Sequence, residues 1–405
     1  MTFTLLVADL VTGDVVDEVR ADSVRFGETL CAPGGWSARL LPGSARAQSE
    51  LLAPGGAVLH VLDDASEHLF AGIVWAADWD GDSLTVGGEG LWSYFRQTSG
   101  RDRVYRGGTG GMTWAAPAFG GAYWTAVDQH RIVADLVGWA QAEPYGDLGV
   151  TVRGHPAVSG VPRDLIMVVT DRKSIGEQVE DLAGLADGFE FRCVCEWDGG
   201  RLRRYLDLWY PRCGTQTDVV WEHGYQVRVS RFPRRVGANR VDVLGQDQAT
   251  VGTAANIPAG TLRHDMVVSR TDLGDAGMLA ATAAGELARV TSGVDTLSVD
   301  ILDLDLYALG SFQVGEQVRV VADDGALQLD GSRWWRIIGW MATVERGTAS
   351  VSVDLAAGES TGRPLLLPAD ERARAARDQS RRVERLERRP VSTAGAGVDF
   401  DGFAS

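Results

Sequence analysis

The sequence predicts a mainly β, multidomain protein with α+β insertions. Three observations lead there. Short apolar–polar alternations recur about every ten residues between Gly and Asp turn signals, which suits a small barrel or sandwich better than βαβ units. The 50 glycines are scattered with no triplet period, so they serve turns rather than a collagen-like helix. Helical periodicity is confined to a few stretches. With 405 residues, 45% of them apolar and 23% charged, the chain is long enough for two to four domains of ordinary globular composition.

The first block, residues 1–120, reads as a β-barrel domain. FTLLVADL, a turn at Thr12-Gly13-Asp14 and VVDEVR form a hairpin signal. In GGWSARLL, Trp36, Ala38 and Leu40 alternate with Ser37 and Arg39. AVLHVLDD and HLFAGIVWAADWDGDSLTVGGEGLWSYF add further strands around the tight turn Asp80-Gly81-Asp82, and the glycine-rich stretch 107–121 reads as a long loop. The second block, 121–224, is mixed α/β. In DQHRIVADLVGWAQAE, Ile132, Leu136 and either Trp139 or Ala140 share a helical face, and Pro144 closes the run. In DRKSIGEQVEDLAGLADGF, Ser174 can cap with Glu177, and Ile175, Val179 and Leu182 line one face. FEFRCVCEW, a turn at Asp198-Gly199-Gly200 and LRRYLDLWY then give two strands, an αββ unit.

The third block, 225–364, reads as a second β-barrel domain with one helix, carried by the Ala- and Leu-rich TDLGDAGMLAATAAGELARV. In TLSVDILDLDLYALG the apolar positions move from Val299 and Ile301 to Leu302, Leu304 and Leu306, which predicts a bulge or edge effect near Ile301. RWWRIIGWMATVERGTASVSVDL is apolar on both faces: Trp335, Ile337, Gly339 and Met341 alternate with Trp334, Arg336, Ile338, Trp340 and Ala342. A strand apolar on both sides is packed on both sides. A strand buried within one domain, a subunit contact and a ligand-stacking surface all stay open, with Trp334, Trp335, Ile337 and Trp340 as interface candidates. The last block, 365–405, reads as an Arg-rich helix and a flexible end. Ala369, Ala373, Ala376, Ser380, Val383 and Leu386 make a thin stripe at spacings of four and three, so Val383 and Leu386 join the interface candidates.

Signals for chemistry are few. The charge balance, 39 − 55 = −16, argues against a free-standing nucleic-acid binder but leaves room for a wall that repels passing DNA. The six histidines show no ligand spacing, and no phosphate loop, dinucleotide fingerprint or nucleophile elbow is present. Asp323-Asp324-Gly325 reads as a turn. Cys31, Cys193, Cys195 and Cys213 read as buried thiols ahead of a disulfide or a metal site. No cofactor and no catalytic residue is expected. The N-terminus lacks a basic n-region and no apolar run reaches the roughly 18 residues of a membrane span, so a soluble chain without an export signal is expected. Asp303 and Asp305 alternate with leucines and share a face, either solvated or lining a channel.

The order of features, with GGWSARL, SIGEQVEDLAGLADGFEF, NRVDVLGQ and the closing FQVGEQVRVV and WWRIIGWMATVERGTASVSVDL, resembles the tail-hub proteins of long-tailed bacteriophages, most of all minor tail proteins of phages infecting actinobacteria. The resemblance covers roughly residues 1–360 and rests on layout rather than a rigid signature. It implies two tube-like β-barrel domains per subunit and a homotrimeric ring at the distal end of the tail tube. It also implies contacts to tube, tip or fibre proteins, transient passage of DNA and residence in the virion tail after synthesis in the host cytoplasm. The alternatives are a host-surface carbohydrate-binding tail protein and a tail-associated hydrolase.

Overall fold

The computed structural model describes residues 3–41, 51–80, 83–96, 121–168, 174–185, 187–198, 201–231, 238–245, 249–270, 276–291, 296–302, 304, 309–322, 331–345 and 348–357. They belong to a compact unit, Met1–Leu365; the second unit, Leu366–Ser405, lies outside them.

The N-terminal block supplies β1 (Thr4–Asp9), β2 (Val15–Val19), β3 (Ala21–Thr29), β4 (Gly35–Leu40), β5 (Ala57–Leu62), β6 (His68–Trp79) and β7 (Leu84–Gly90). The middle block supplies β8 (Gly121–Asp128), α1 (Gln129–Ala142), β9 (Val150–His155), β10 (Pro162–Val168), α2 (Ile175–Ala183), β11 (Glu190–Asp198) and β12 (Arg201–Trp209), followed by β13 (Gln216–Glu222). The rest is β14 (Val227–Arg231), β15 (Arg240–Leu244), β16 (Val251–Ala255), β17 (Asp265–Ser269), α3 (Ala276–Thr291), β18 (Thr296–Ile301), β19 (Gln317–Val321), β20 (Ser332–Glu345) and β21 (Thr348–Ala357). The protein is mainly β, with three α-helices among the described residues.

One sheet of 13 strands runs β14-β18-β21-β20-β3-β4-β7-β6-β5-β1-β2, with β13 and β19 attached beside β20. Among the described residues it does not close into a barrel. The strands expected in two barrels instead hydrogen-bond to each other through β20 and β3. Among the described residues there are three smaller sheets: β10-β8, β11-β12-β9 and β16-β15-β17. The αββ reading of the middle block lacked β9, which pairs parallel with β12. Where a bulge or edge effect was expected near Ile301, β18 ends at Ile301 and the Leu302 N–H donates to the Gln226 carbonyl at 2.8 Å, while Leu306 lies outside the described residues.

The helices follow their sequence signals. In α1 the buried face is Ile132, Val133, Leu136, Val137 and Ala140, so Ala140 rather than Trp139 completes it. Ser174 caps α2, its hydroxyl accepting the Glu177 N–H at 3.1 Å, while Ile175, Val179 and Leu182 are buried below. Ser174→Ala is expected to lower stability by about 1 kcal/mol in urea unfolding, with Ser174→Asp restoring most of it. In α3, Leu279, Ala283 and Leu287 recur every fourth residue and pack on Val241 and Val243 of β15. Gly252 of β16 permits that approach, since a Cβ there would lie 2.2 Å from the Leu279 carbonyl carbon.

Candidate functional site

The parts of this unit meet at β20. One of its edges pairs with β21. On the other edge, 332–336 pairs with β19 and 339–345 pairs with β3. The changeover falls at Ile337 and Ile338: the Ile337 N–H donates to the Glu316 carbonyl at 2.8 Å, and the Leu30 N–H donates to the Ile338 carbonyl at 2.9 Å.

A bulge at the same point corrects the strict alternation read from the sequence. Ile337 lies opposite Leu355, Gly339 opposite Asp354 and Trp340 opposite Val353. Opposed residues point the same way, and Leu355 and Val353 share a face. Trp335, Ile337, Trp340 and Ala342 therefore line one face, because the extra residue inverts the parity. Trp335, Ile337 and Trp340 are 2%, 0% and 7% exposed, and Trp340 meets Phe26 of β3 edge-on at 5.7 Å between centroids. Their observed cover comes from this chain. Trp334 is half-buried. Val383, Leu386, Asp303 and Asp305 lie outside the described residues.

The opposite face of β20 carries Arg336, 1% exposed, which forms a two-pronged ion pair with Glu190 of β11, 0% exposed. Its Nε donates to the Gly315 carbonyl at 2.9 Å and its Nη2 to the Cys213 carbonyl at 2.7 Å, while the Cys213 N–H donates to Glu190 Oε2 at 2.7 Å. Gly315 holds φ at +94°, and a Cβ there would lie 2.9 Å from the Cys213 carbonyl oxygen. Burial opposes the Arg336 charge, but the hydrogen bonds and charge of Glu190 outweigh it and hold the guanidinium above the usual arginine value. One buried cluster thus ties β20 to the middle block.

Beside it opens a cleft of about 250 Å³, whose walls include Glu28, His68, Arg192, Cys195, Glu196 and Trp340. Burial pushes the Glu28 carboxyl up, against the opposing effects of Arg192 and a hydrogen bond from Trp340. Glu196 is held down by Arg153, which donates to its two oxygens at 2.7 and 2.9 Å. Arg153 also grips Asp207 at 2.5 and 2.8 Å and lies 3.7 Å over the Tyr205 ring. All four cysteines are free thiols, with Cys31, Cys195 and Cys213 buried.

Two histidines of the β5–β6 hairpin meet at the inner side of this cleft: His60 Nδ1 and His68 Nε2 are 3.1 Å apart. Burial lowers His68 to about 4, and burial, His68 and Arg204 hold His60 well below the ordinary value. Between about 6.5 and 4 the unfolded chain binds more protons, so the stability gained from neutral imidazoles is complete above that window and lost as pH falls through it. Urea unfolding is expected to show a loss of about 2 kcal/mol from pH 7 to 5 from His68 alone, flattened in His68→Gln. The sequence reading missed this pair. Its signal was two histidines straddling a hairpin turn, which places them side by side.

The fold is one found in bacteriophage tail proteins. The 43 kDa tail protein of prophage MuSo2 from Shewanella oneidensis superposes with a TM-score of 0.56 at 13% identity, over 89% of this chain and 100% of the other. A tail protein from Neisseria meningitidis gives 0.54 at 12%, over 91% and 100%. Prophage tail protein gp18 from Listeria monocytogenes gives 0.51 at 10%, over 93% and 99%. No family model and no curated protein matches the sequence. The narrower resemblance to phages of actinobacteria has no counterpart among these three structures.

Proposed function

We propose that this chain is a structural tail-hub (baseplate hub) protein that forms a ring at the distal end of a phage tail tube, links the tube to tip or fibre proteins and passes DNA. The observation that carries this reading is a likeness in fold to three tail proteins over 89% or more of this chain and almost all of each of them. The ring is a homotrimer closed by one heterologous contact repeated about a three-fold axis. Trp334, with Val383 and Leu386 of the tail, is assigned to subunit or neighbour contacts. Asp303 and Asp305 are assigned to the channel wall, where a chain of net charge −16 keeps phosphate from adhering. The chain works in the virion tail after synthesis in the host cytoplasm. No helix among the described residues is long and apolar enough to cross a membrane.

The tryptophans argue against glycan stacking. Trp36, Trp92, Trp124, Trp221, Trp335 and Trp340 are buried, and among the described tryptophans only Trp79 (45%) and Trp197 (44%) are exposed. Light scattering across a concentration series is expected to give a monomer–trimer equilibrium, with rings in electron micrographs. A stable two-fold dimer would overturn the ring.

A second reading has one observation behind it: a raised carboxyl, Glu28, and an ionised one, Glu196, share the cleft, the division of labour a glycoside hydrolase uses. The hub reading expects no product release from peptidoglycan or host glycans. Release abolished by Glu28→Gln would make the cleft catalytic.

A further inference from the structure

The hub reading leaves one cluster unused. His60 on β5, His68 on β6 and Cys195 on β11 bring one donor atom each to within 4.8 Å of one another. The two imidazoles stand 5.3 Å apart at 65°, and His60 buries its Nε2 with no hydrogen-bond partner among the described residues. An orphaned buried imidazole nitrogen calls for an explanation that the packing itself does not supply.

Three elements hold the donors in place. The β5–β6 pairing sets His60 against Ala71 and His68 against Leu62, on the two sides of one hairpin. The Trp197 indole N–H donates to the Ser66 carbonyl at 3.2 Å, pinning β11 over that hairpin's turn. Cys195 pairs across the ladder with Arg204, whose Nη1 donates to the Leu10 and Leu148 carbonyls at 2.7 Å each. Burial pushes the Cys195 thiol up to about 12, with the Arg204 guanidinium opposing it, so the thiol keeps its proton until a cation displaces it.

We propose that His60, His68 and Cys195 bind a borderline-soft divalent cation of the zinc class, one nitrogen from each imidazole and the sulfur of Cys195 serving as ligands. Two imidazoles and a thiolate select zinc over magnesium or calcium, which take oxygen ligands. Three protein ligands leave a fourth position for water or a neighbouring side chain. His68 and Cys195 line the cleft, which is the ion's way in. On coordination Cys195 gives its thiol proton to solvent and the imidazoles bind as neutral ligands, so the site takes a dication and releases one proton. The bound ion would clamp β11 to the hairpin, locking the middle block onto the N-terminal strands.

The test uses the full-length chain without a histidine tag, stripped with a chelator and titrated with Co²⁺ as the spectroscopic probe. One equivalent is expected to bind with a thiolate-to-cobalt charge-transfer band, to be displaced by Zn²⁺, and to raise the melting temperature. Cys195→Ser is expected to lose the band and the melting shift, while Cys193→Ala keeps both. No thiolate band from folded wild-type protein, or a band that survives Cys195→Ser, would overturn the site. Because the wild-type titration decides by itself, a variant that fails to fold does not shelter the proposal. The readout is independent of ring assembly, so its failure leaves the hub reading standing.

Discussion

Arg336→Met is expected to cost about 3–5 kcal/mol of unfolding free energy, the range for removing one partner of a buried ion pair. The cost comes less from lost attraction than from what is left behind. Glu190 is fully buried, and without the guanidinium its carboxylate keeps, among the described residues, only the Cys213 N–H as a hydrogen-bond donor. The Gly315 and Cys213 carbonyls lose their donors as well. The double variant Arg336→Met/Glu190→Leu is expected to recover much of the loss, because replacing both charges with apolar groups removes the unpaired charge. Urea unfolding of the two single variants and the double variant forms a cycle. If Arg336→Met melts within about 0.5 kcal/mol of the parent, the cluster does not join β20 to the middle block.

Trp335→Ala is expected to cost about 3–5 kcal/mol, because a large side chain leaves a face lined by Ile337, Leu355 and Trp340 and the cavity closes only in part. Trp335 is 2% exposed, lies opposite Ala357 and Val318, and shares its face with Trp340 through the bulge. Trp334→Ala, at a half-buried position, is expected to leave the melting curve within about 1 kcal/mol and, if the proposed ring forms, to lower the trimer fraction. Thermal melting beside particle mass separates the two. Trp335→Ala with parental stability would place its ring outside the core. Trp334→Ala with unchanged assembly would remove that residue from the interface.

Much of the fold was legible where local chemistry decides. The Ser174 cap, the buried stripe of α1, the Ala-rich α3 and the hairpins of the N-terminal block follow from periodicity and turn residues. The partner change along β20 was not legible, because its strand period is read as continuous and a single inserted residue at Ile338 inverts it. Arg336 carried a usable signal: a charged residue between Trp335 and Ile337, in a strand apolar on both faces, calls for a buried carboxylate. Glu190 had no such mark, since FEFRCVCEW reads as an ordinary half-exposed strand. The histidine–cysteine cluster was illegible for a different reason: His60 and His68 meet Cys195 through tertiary packing across distant segments.

Electron cryo-microscopy of the purified chain, and of any tail-like particle from its source that carries it, tests the proposed ring most directly. The account predicts three copies in a closed ring at the distal end of the tube, around a continuous channel, with β20 inside each subunit and Trp334 at or near the subunit boundary. A chain absent from the tail, or attached singly to its side with the cleft holding a glycan, would contradict it.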